Sequence, residues 1–270
     1  MKRTVFFFSV FFFVFSCKTN PFTQRSTLNF YSNTQIFPMA FQQYDQVLTE
    51  SEVVTGTSQA TMVKNVGERI ASAAERWLTA NGHPGYLKDY RWEYTLIKSD
   101  QVNAWAMPGG KIAVYTGILP ITQTETGLAV VLGHEVAHAL ADHGAQRMSA
   151  GTLQQLGAVA GNIALSKDEQ DQQLFNVAYG LGSNVLGMLP FSRSHENEAD
   201  AIGIQLMAIA GYDPYEASEL WKRMKEKSGG QAPPEFLSTH PSNDTRIQNL
   251  KRLAPKAVEE AKKFGVTSFR

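Results

Sequence analysis

The chain has 270 residues, 43% of them apolar and 19% charged, a balance that supplies a packed core and excludes both a disordered chain and a multi-span membrane protein. Lys plus Arg equals Asp plus Glu at 25 each, so no net field recruits nucleic acid or selects partners by charge. The length favours one domain behind a short leader.

The leader comes first. Lys2 and Arg3 precede an almost unbroken apolar run from Val5 to Phe15, followed by Ser16 and Cys17. The run is about 11 residues, against the roughly 20 needed to cross the hydrocarbon core, so residues 1–16 are expected to be a removable export signal. Cys17 is the only cysteine, which rules out an intramolecular disulfide and a cysteine-based zinc site. Val14, Phe15, Ser16 and Cys17 resemble a bacterial lipobox, which makes Cys17 a lipidation site and the lipid a membrane anchor. Lys18 stands where an Asp would resemble an inner-membrane retention signal, so the periplasmic face of the outer membrane is favoured. The Thr, Asn, Ser and Gln that follow, with Pro21 and Pro38, read as a lipidated tether over residues 17–45 leading into a folded domain over residues 46–270.

Within that domain, Met62, Val63, Val66, Ile70, Ala73 and Trp77 recur at three- and four-residue steps, which predicts an amphipathic helix over Ser58–Ala80. Trp92, Tyr94 and Leu96 alternate in a strand over residues 90–97, and Pro108-Gly109-Gly110 makes a hairpin turn between strands at 102–107 and 111–115. Thr122 and Glu125 form a capping box for a helix carrying Leu128, Val131, Leu132, Val136 and Ala139. Asp213, Pro214 and Glu216 open another, and further helices are expected before Glu196 and near Thr245. No stretch after the leader reaches 18 uninterrupted apolar residues.

The chemistry centres on the apolar run LAVVLGHEVAHAL. His134 and His138, four apart, share one helix face and can converge on one ion. Glu135 beside them can take a proton from water acidified by that ion. Burying two imidazoles and a carboxylate in such a run is costly unless they are paired or liganded. A catalytic zinc needs a third protein ligand, and Glu196 in SRSHENEAD is the expected one. Asp200, four residues on, faces the same way and is expected to accept a hydrogen bond from a metal-ligating histidine. Glu198 falls on another face, and His195 would need about a 100° rotation to reach the ion. His83 and His143 are expected at the surface or at helix ends, with no catalytic part.

HEVAH, then ENEAD, then THPSNDTR resemble the zinc peptidase family of the CAAX prenyl proteases and HtpX-like heat-shock proteases. The tether NPFTQRSTLNFYS and the segment NAWAMPGGKIAVYTGIL look like its soluble periplasmic lipoprotein branch. The resemblance implies a mainly helical α+β zincin fold, gluzincin-like, with a small sheet beside the active-site helix. It implies zinc held by His134, His138 and Glu196, with Glu135 as the base. It also gives His240 and Arg246 the task of stabilising the developing oxyanion, and lets His240, a spare imidazole, close the open coordination position. The hairpin strand is expected to take an extended substrate along its edge, with Asn103 adding a side-chain contact. The implied substrates are unfolded or misassembled envelope proteins. That branch often carries C-terminal helical repeats; this chain ends soon after the helix that follows Arg246, so docking through repeats is not expected. Two rivals remain: a chaperone-like lipoprotein that binds peptides without cutting them, and a lipoprotein whose zinc only staples the fold.

Overall fold

The computed structural model describes residues 17–164, 189–227 and 235–270, together with residues 173, 176 and 179. The export signal expected over residues 1–16 lies outside them. Strands β1 (Cys17–Thr19) and β2 (Ser26–Leu28) form an antiparallel hairpin. Helix α1 (Asn33–Thr49), strand β3 (Val53–Val54) and helix α2 (Ser58–Ala80) follow. Strands β4 (Glu93–Ile97), β5 (Ala104–Met107) and β6 (Lys111–Tyr115) join β3 in a sheet of order β3-β4-β6-β5, in which only β4 and β6 run parallel. A short 3-10 turn leads to α3 (Leu119–Thr122), α4 (Glu125–Leu140) and α5 (His143–Ala164), and the chain continues with α6 (Leu189–Ile209), α7 (Glu216–Lys227), α8 (Glu235–Thr239) and α9 (Asp244–Lys263). This is the mainly helical α+β architecture expected, with the small sheet against α4.

Helix α2 has the predicted bounds, with Val63, Val66, Ile70, Ala73 and Leu78 buried against α4 and the sheet. Tyr90, Trp92 and Tyr94 stack in a row, at ring separations of 5.2 and 6.1 Å. Gly67 leaves room for the Tyr94 ring: a Cβ there would meet the ring carbons head-on. The hairpin turn also stands as expected, Gly109 and Gly110 taking φ of 82° and 93° that a larger side chain would resist.

Three expectations about boundaries need correction. The tether does not extend to residue 45, because α1 already belongs to the body: Ile36, Phe37, Ala40 and Tyr44 are buried, and the Tyr44 hydroxyl bonds to Thr95 and to the Ile112 carbonyl. Even residues 20–22 are docked. The Asn20 amide donates to the Leu140 carbonyl at 2.7 Å, and Phe22 stacks on Trp77 at 4.6 Å. The cap of α4 is Thr124, whose hydroxyl accepts from the Gly127 N–H at 3.0 Å; Thr122 closes α3 instead, its hydroxyl donating to the Leu119 carbonyl. Pro120 starts that extra helical turn, and Gln123, at φ 62°, ends it. Likewise α7 begins at Glu216, with Asp213 capping the preceding turn through Tyr215 N–H. Among the described residues no helix is long and apolar enough to cross a membrane.

Candidate metal centre

Helix α4 is buried from Gly127 to Leu140, so its polar side chains have only one another and the neighbouring helices for partners. Its terminal carbonyls are satisfied from three directions: Tyr90 hydroxyl to Ala139, Asn20 to Leu140 and Gln146 to Ala141. Helix α6 crosses it at two glycines. A Cβ on Gly133 would lie 2.8 Å from the Gly203 carbonyl oxygen, and one on Gly203 would lie 2.8 Å from the Gly133 carbonyl. That backbone-to-backbone approach places Glu196 and Asp200 of α6 beside His134 and His138 of α4.

The result is a compact buried group. His134, His138, Glu196 and His240 each offer one ligand atom, and all four atoms lie within 4.8 Å of one another. Nε2 of His134 and Nε2 of His138 are 3.1 Å apart, and the Glu196 carboxylate is 3.2 and 3.3 Å from them. His240 Nδ1 stands 3.1 Å from His134 Nε2 and 2.9 Å from Glu196 Oε2. It arrives from the short helix α8, where its ring packs on Phe236 at 4.7 Å and the Phe236 N–H donates to Val102 of the strand region. Two imidazoles, a carboxylate and a further imidazole converging without a covalent link match the nitrogen and oxygen donors that zinc takes. Glu135 Oε1 supports the fit. It is buried with no hydrogen-bond partner among the described residues, 3.5 Å from His240 Nε2.

The electrostatics follow from this crowding. Burial alone would depress His134, but Glu196 and Asp200 outweigh it and push the imidazole up to about 9. Burial dominates at His138, which is held well below the ordinary histidine value. For Glu196 burial is overcome by the imidazoles around it, and the carboxyl is held far below its usual range. Burial raises Glu135, against the opposing pull of His240 and His134.

Asp200 stands where the sequence reading put it, Oδ1 3.0 Å from His134 Nδ1. Arg246 does not face an open site. Its guanidinium grips Asp200 through Nε at 2.8 Å and Nη2 at 2.6 Å, reaches Glu196 through Nη1 at 3.1 Å, donates to the Pro241 carbonyl, and lies 3.5 Å over the Trp221 ring. The oxyanion role expected of Arg246 would have to compete with these contacts, because two buried carboxylates already engage its guanidinium. Asn243 caps α9 through the Arg246 N–H and so sets the direction of the arginine. Asn103 sits half-buried ahead of β5, its carbonyl accepting from Tyr115 N–H; it is not among the residues the metal group brings together. Cys17 lies in β1.

The sequence reading missed His143. It was expected at the surface or a helix end; it does begin α5, but it is fully buried, with Nδ1 2.8 Å from His138 Nδ1. His195 stacks on it at 4.0 Å, and Glu198 reaches its Nε2 at 3.2 Å. On an unbroken helix His143 would point away from His138. Asp142, at φ 58°, reverses the chain and folds it back, and Asp is among the few residues that accept that conformation readily. His83 is exposed, as expected.

The peptidase family M48 model matches residues 58–254. Mitochondrial metalloendopeptidase OMA1 of Schizosaccharomyces pombe is 40% identical over 174 residues, covering 63% of this chain and 49% of its own length. Metalloendopeptidase OMA1 of Danio rerio is 30% identical over 261 residues, covering 94% of this chain and 54% of its own. The beta-barrel assembly-enhancing protease of Escherichia coli K12 is 28% identical over 188 residues, covering 66% of this chain and 38% of its own. The chain thus spans about half the length, or less, of these relatives. With the family match running through every donor of the buried group, from His134 to Arg246, the chain belongs to peptidase family M48.

Proposed function

We propose that the chain is a zinc metalloendopeptidase. The observation that carries this reading is the buried His134, His138, Glu196 and His240 group with the partnerless oxygen of Glu135 at its side. His134, His138 and Glu196, all on long helices, would hold the zinc. When bound, zinc supplies Lewis acidity, which polarises a carbonyl and acidifies water. Glu135 takes the proton of the attacking water on Oε1 and returns it to the leaving amine. Asp200 and Arg246 keep His134 and Glu196 in place. His240, the donor that follows directly on a five-residue helix, is the one that yields to substrate, and its ring then donates to the developing oxyanion. An extended substrate pairs with β5, an edge strand that pairs only with β6 in the described sheet, with Asn103 at the head of that edge.

Zinc content and cleavage of an unfolded outer-membrane β-barrel protein test the reading. Wild type is expected to carry one zinc and to cleave. Glu196→Ala is expected to lose both. His240→Ala is expected to keep the zinc, since three donors remain; loss of zinc there would make the site a closed four-ligand staple and sink the enzymatic reading.

The substrates we infer are misfolded or misassembled envelope proteins, supported by the likeness to a beta-barrel assembly-enhancing protease. The mitochondrial relatives match at higher identity, so the compartment reading rests on the leader: a basic start, an apolar run and Cys17. It places the protein on the periplasmic face of the bacterial outer membrane, held by lipid on Cys17. Cys17→Ala is expected to move the chain from the membrane pellet to the soluble fraction; a variant that still sediments with membranes removes the anchor.

A further inference from the structure

His138 turns Nε2 toward His134 and Glu196 and its other nitrogen out of the metal group. There Nδ1 meets His143 Nδ1 at 2.8 Å, and His143 Nε2 meets Glu198 Oε2 at 3.2 Å. Glu198 Oε1 is paired with the guanidinium of Arg25, which also donates to Ser194 Oγ at 3.1 Å. Arg25 lies on the turn of the N-terminal hairpin, eight residues after Cys17 in number, and the same hairpin sends Asn20 to the end of α4.

If His138 ligates through Nε2, only one arrangement of hydrogens satisfies this row. Its lone pair is on Nε2, so Nδ1 carries the hydrogen and donates. His143 Nδ1 must then accept, which puts its hydrogen on Nε2, and that hydrogen goes to the Glu198 carboxylate. Arg25 donates to the remaining oxygen. A partner on the far nitrogen is what fixes the tautomer and ring direction of a metal-ligating histidine. For His134 that partner is Asp200, itself gripped by Arg246. For His138 the imidazole of His143 stands between ligand and carboxylate, and a second arginine grips the carboxylate at the outer end. The His143 ring is clamped flat by His195, 10° from parallel, which is held in turn by Gln146 at 3.1 Å. Glu196, Glu198 and Asp200 share α6, so one helix supplies the ligand and the carboxylate behind each histidine.

We propose that His143 and Glu198 are positioning residues for the zinc ligand His138, and that Arg25 completes the row, so that docking of the N-terminal hairpin tightens the metal centre. The inference rests on the assignment of His134, His138 and Glu196 as zinc ligands. The test is zinc affinity, by chelator competition, and the visible spectrum of the cobalt-substituted full chain. His143→Leu is expected to weaken zinc by about 10- to 100-fold and to shift the cobalt bands, with His143→Gln, which still offers an acceptor, recovering part of the loss. Arg25→Met, at the exposed end where folding is not at stake, is expected to weaken zinc by roughly 3- to 10-fold, and Arg25→Lys to restore most of it. Unchanged affinity and spectrum in folded Arg25→Met and Glu198→Gln overturn the proposal. Glu196→Ala is measured beside them. If it alone weakens zinc, the positioning row fails and the ligand assignment stands; if it does not, the assignment itself fails.

Discussion

Glu135→Gln is expected to keep one zinc per chain and to lower cleavage by about 10²- to 10⁴-fold, the contribution typical of a positioned proton-transfer group. The change preserves shape and leaves His134, His138 and Glu196 untouched, so the metal should stay. What disappears is the basic oxygen: Oε1 is buried without a hydrogen-bond partner among the described residues, and an amide in its place cannot accept a proton. Burial raises the Glu135 carboxyl above its ordinary value of 4.5, against the lowering influence of His240 and His134. A general base works ionised, so kcat/KM of the zinc-loaded enzyme is expected to fall as the pH drops through the Glu135 value, and Glu135→Gln is expected to lose that acid limb. Single-turnover cleavage of an unfolded β-barrel protein across pH, with zinc analysis on the same samples, checks both points. Wild-type cleavage by Glu135→Gln would remove Glu135 as the base, whereas intact cellular function without cleavage would favour the chaperone-like alternative, which needs peptide binding and not the base.

Gly203→Ala should do nearly as much damage without altering a polar side chain. Its Cβ would meet the Gly133 carbonyl carbon and oxygen at 2.8 Å and the His134 amide nitrogen at 2.9 Å. All three are helix backbone, which cannot swing aside as a side chain can, so α4 and α6 must separate. Overpacking of this kind costs about 1–3 kcal/mol, occasionally more. The same separation draws Glu196 and Asp200 from His134 and His138, so zinc affinity is expected to fall by at least about 10-fold. Gly151→Ala is the control. It is helical, has nothing within 4 Å of the added carbon, and should be neutral or stabilising by up to about 1 kcal/mol. Denaturant midpoints with and without zinc separate the two effects. A Gly203→Ala protein as stable and as zinc-avid as wild type would show that the crossing does not set the metal geometry.

Both experiments probe features that were unequally visible in the amino-acid order. His134, Glu135 and His138 could be grouped from spacing, because a helix turns a four-residue step into a shared face. Glu196 and Asp200 followed by the same rule on a second helix. Helix α2 and the Gly109-Gly110 hairpin were equally legible, since apolar periodicity and glycine chemistry are properties of neighbours in the chain. The α4 cap was misplaced by two residues because Thr122 has Glu125 at the capping-box spacing, and only the extra turn α3, which Thr122 closes, leaves the cap to Thr124.

Residue order by itself determined the mainly helical α+β class, the metal-binding pattern and its nearby base, because these depend on contacts a few positions apart. Only the tertiary structure decided that His240 joins the group, that Arg246 is consumed by Asp200 and Glu196, and that residues 20–22 and α1 belong to the body. It also brought His143 behind His138 through the left-handed turn at Asp142. Those outcomes join residues up to 120 positions apart, as in the Asn20–Leu140 bond, and arise from the need of each buried polar or charged group for a partner. No local pattern encodes which distant chain segment will meet that need.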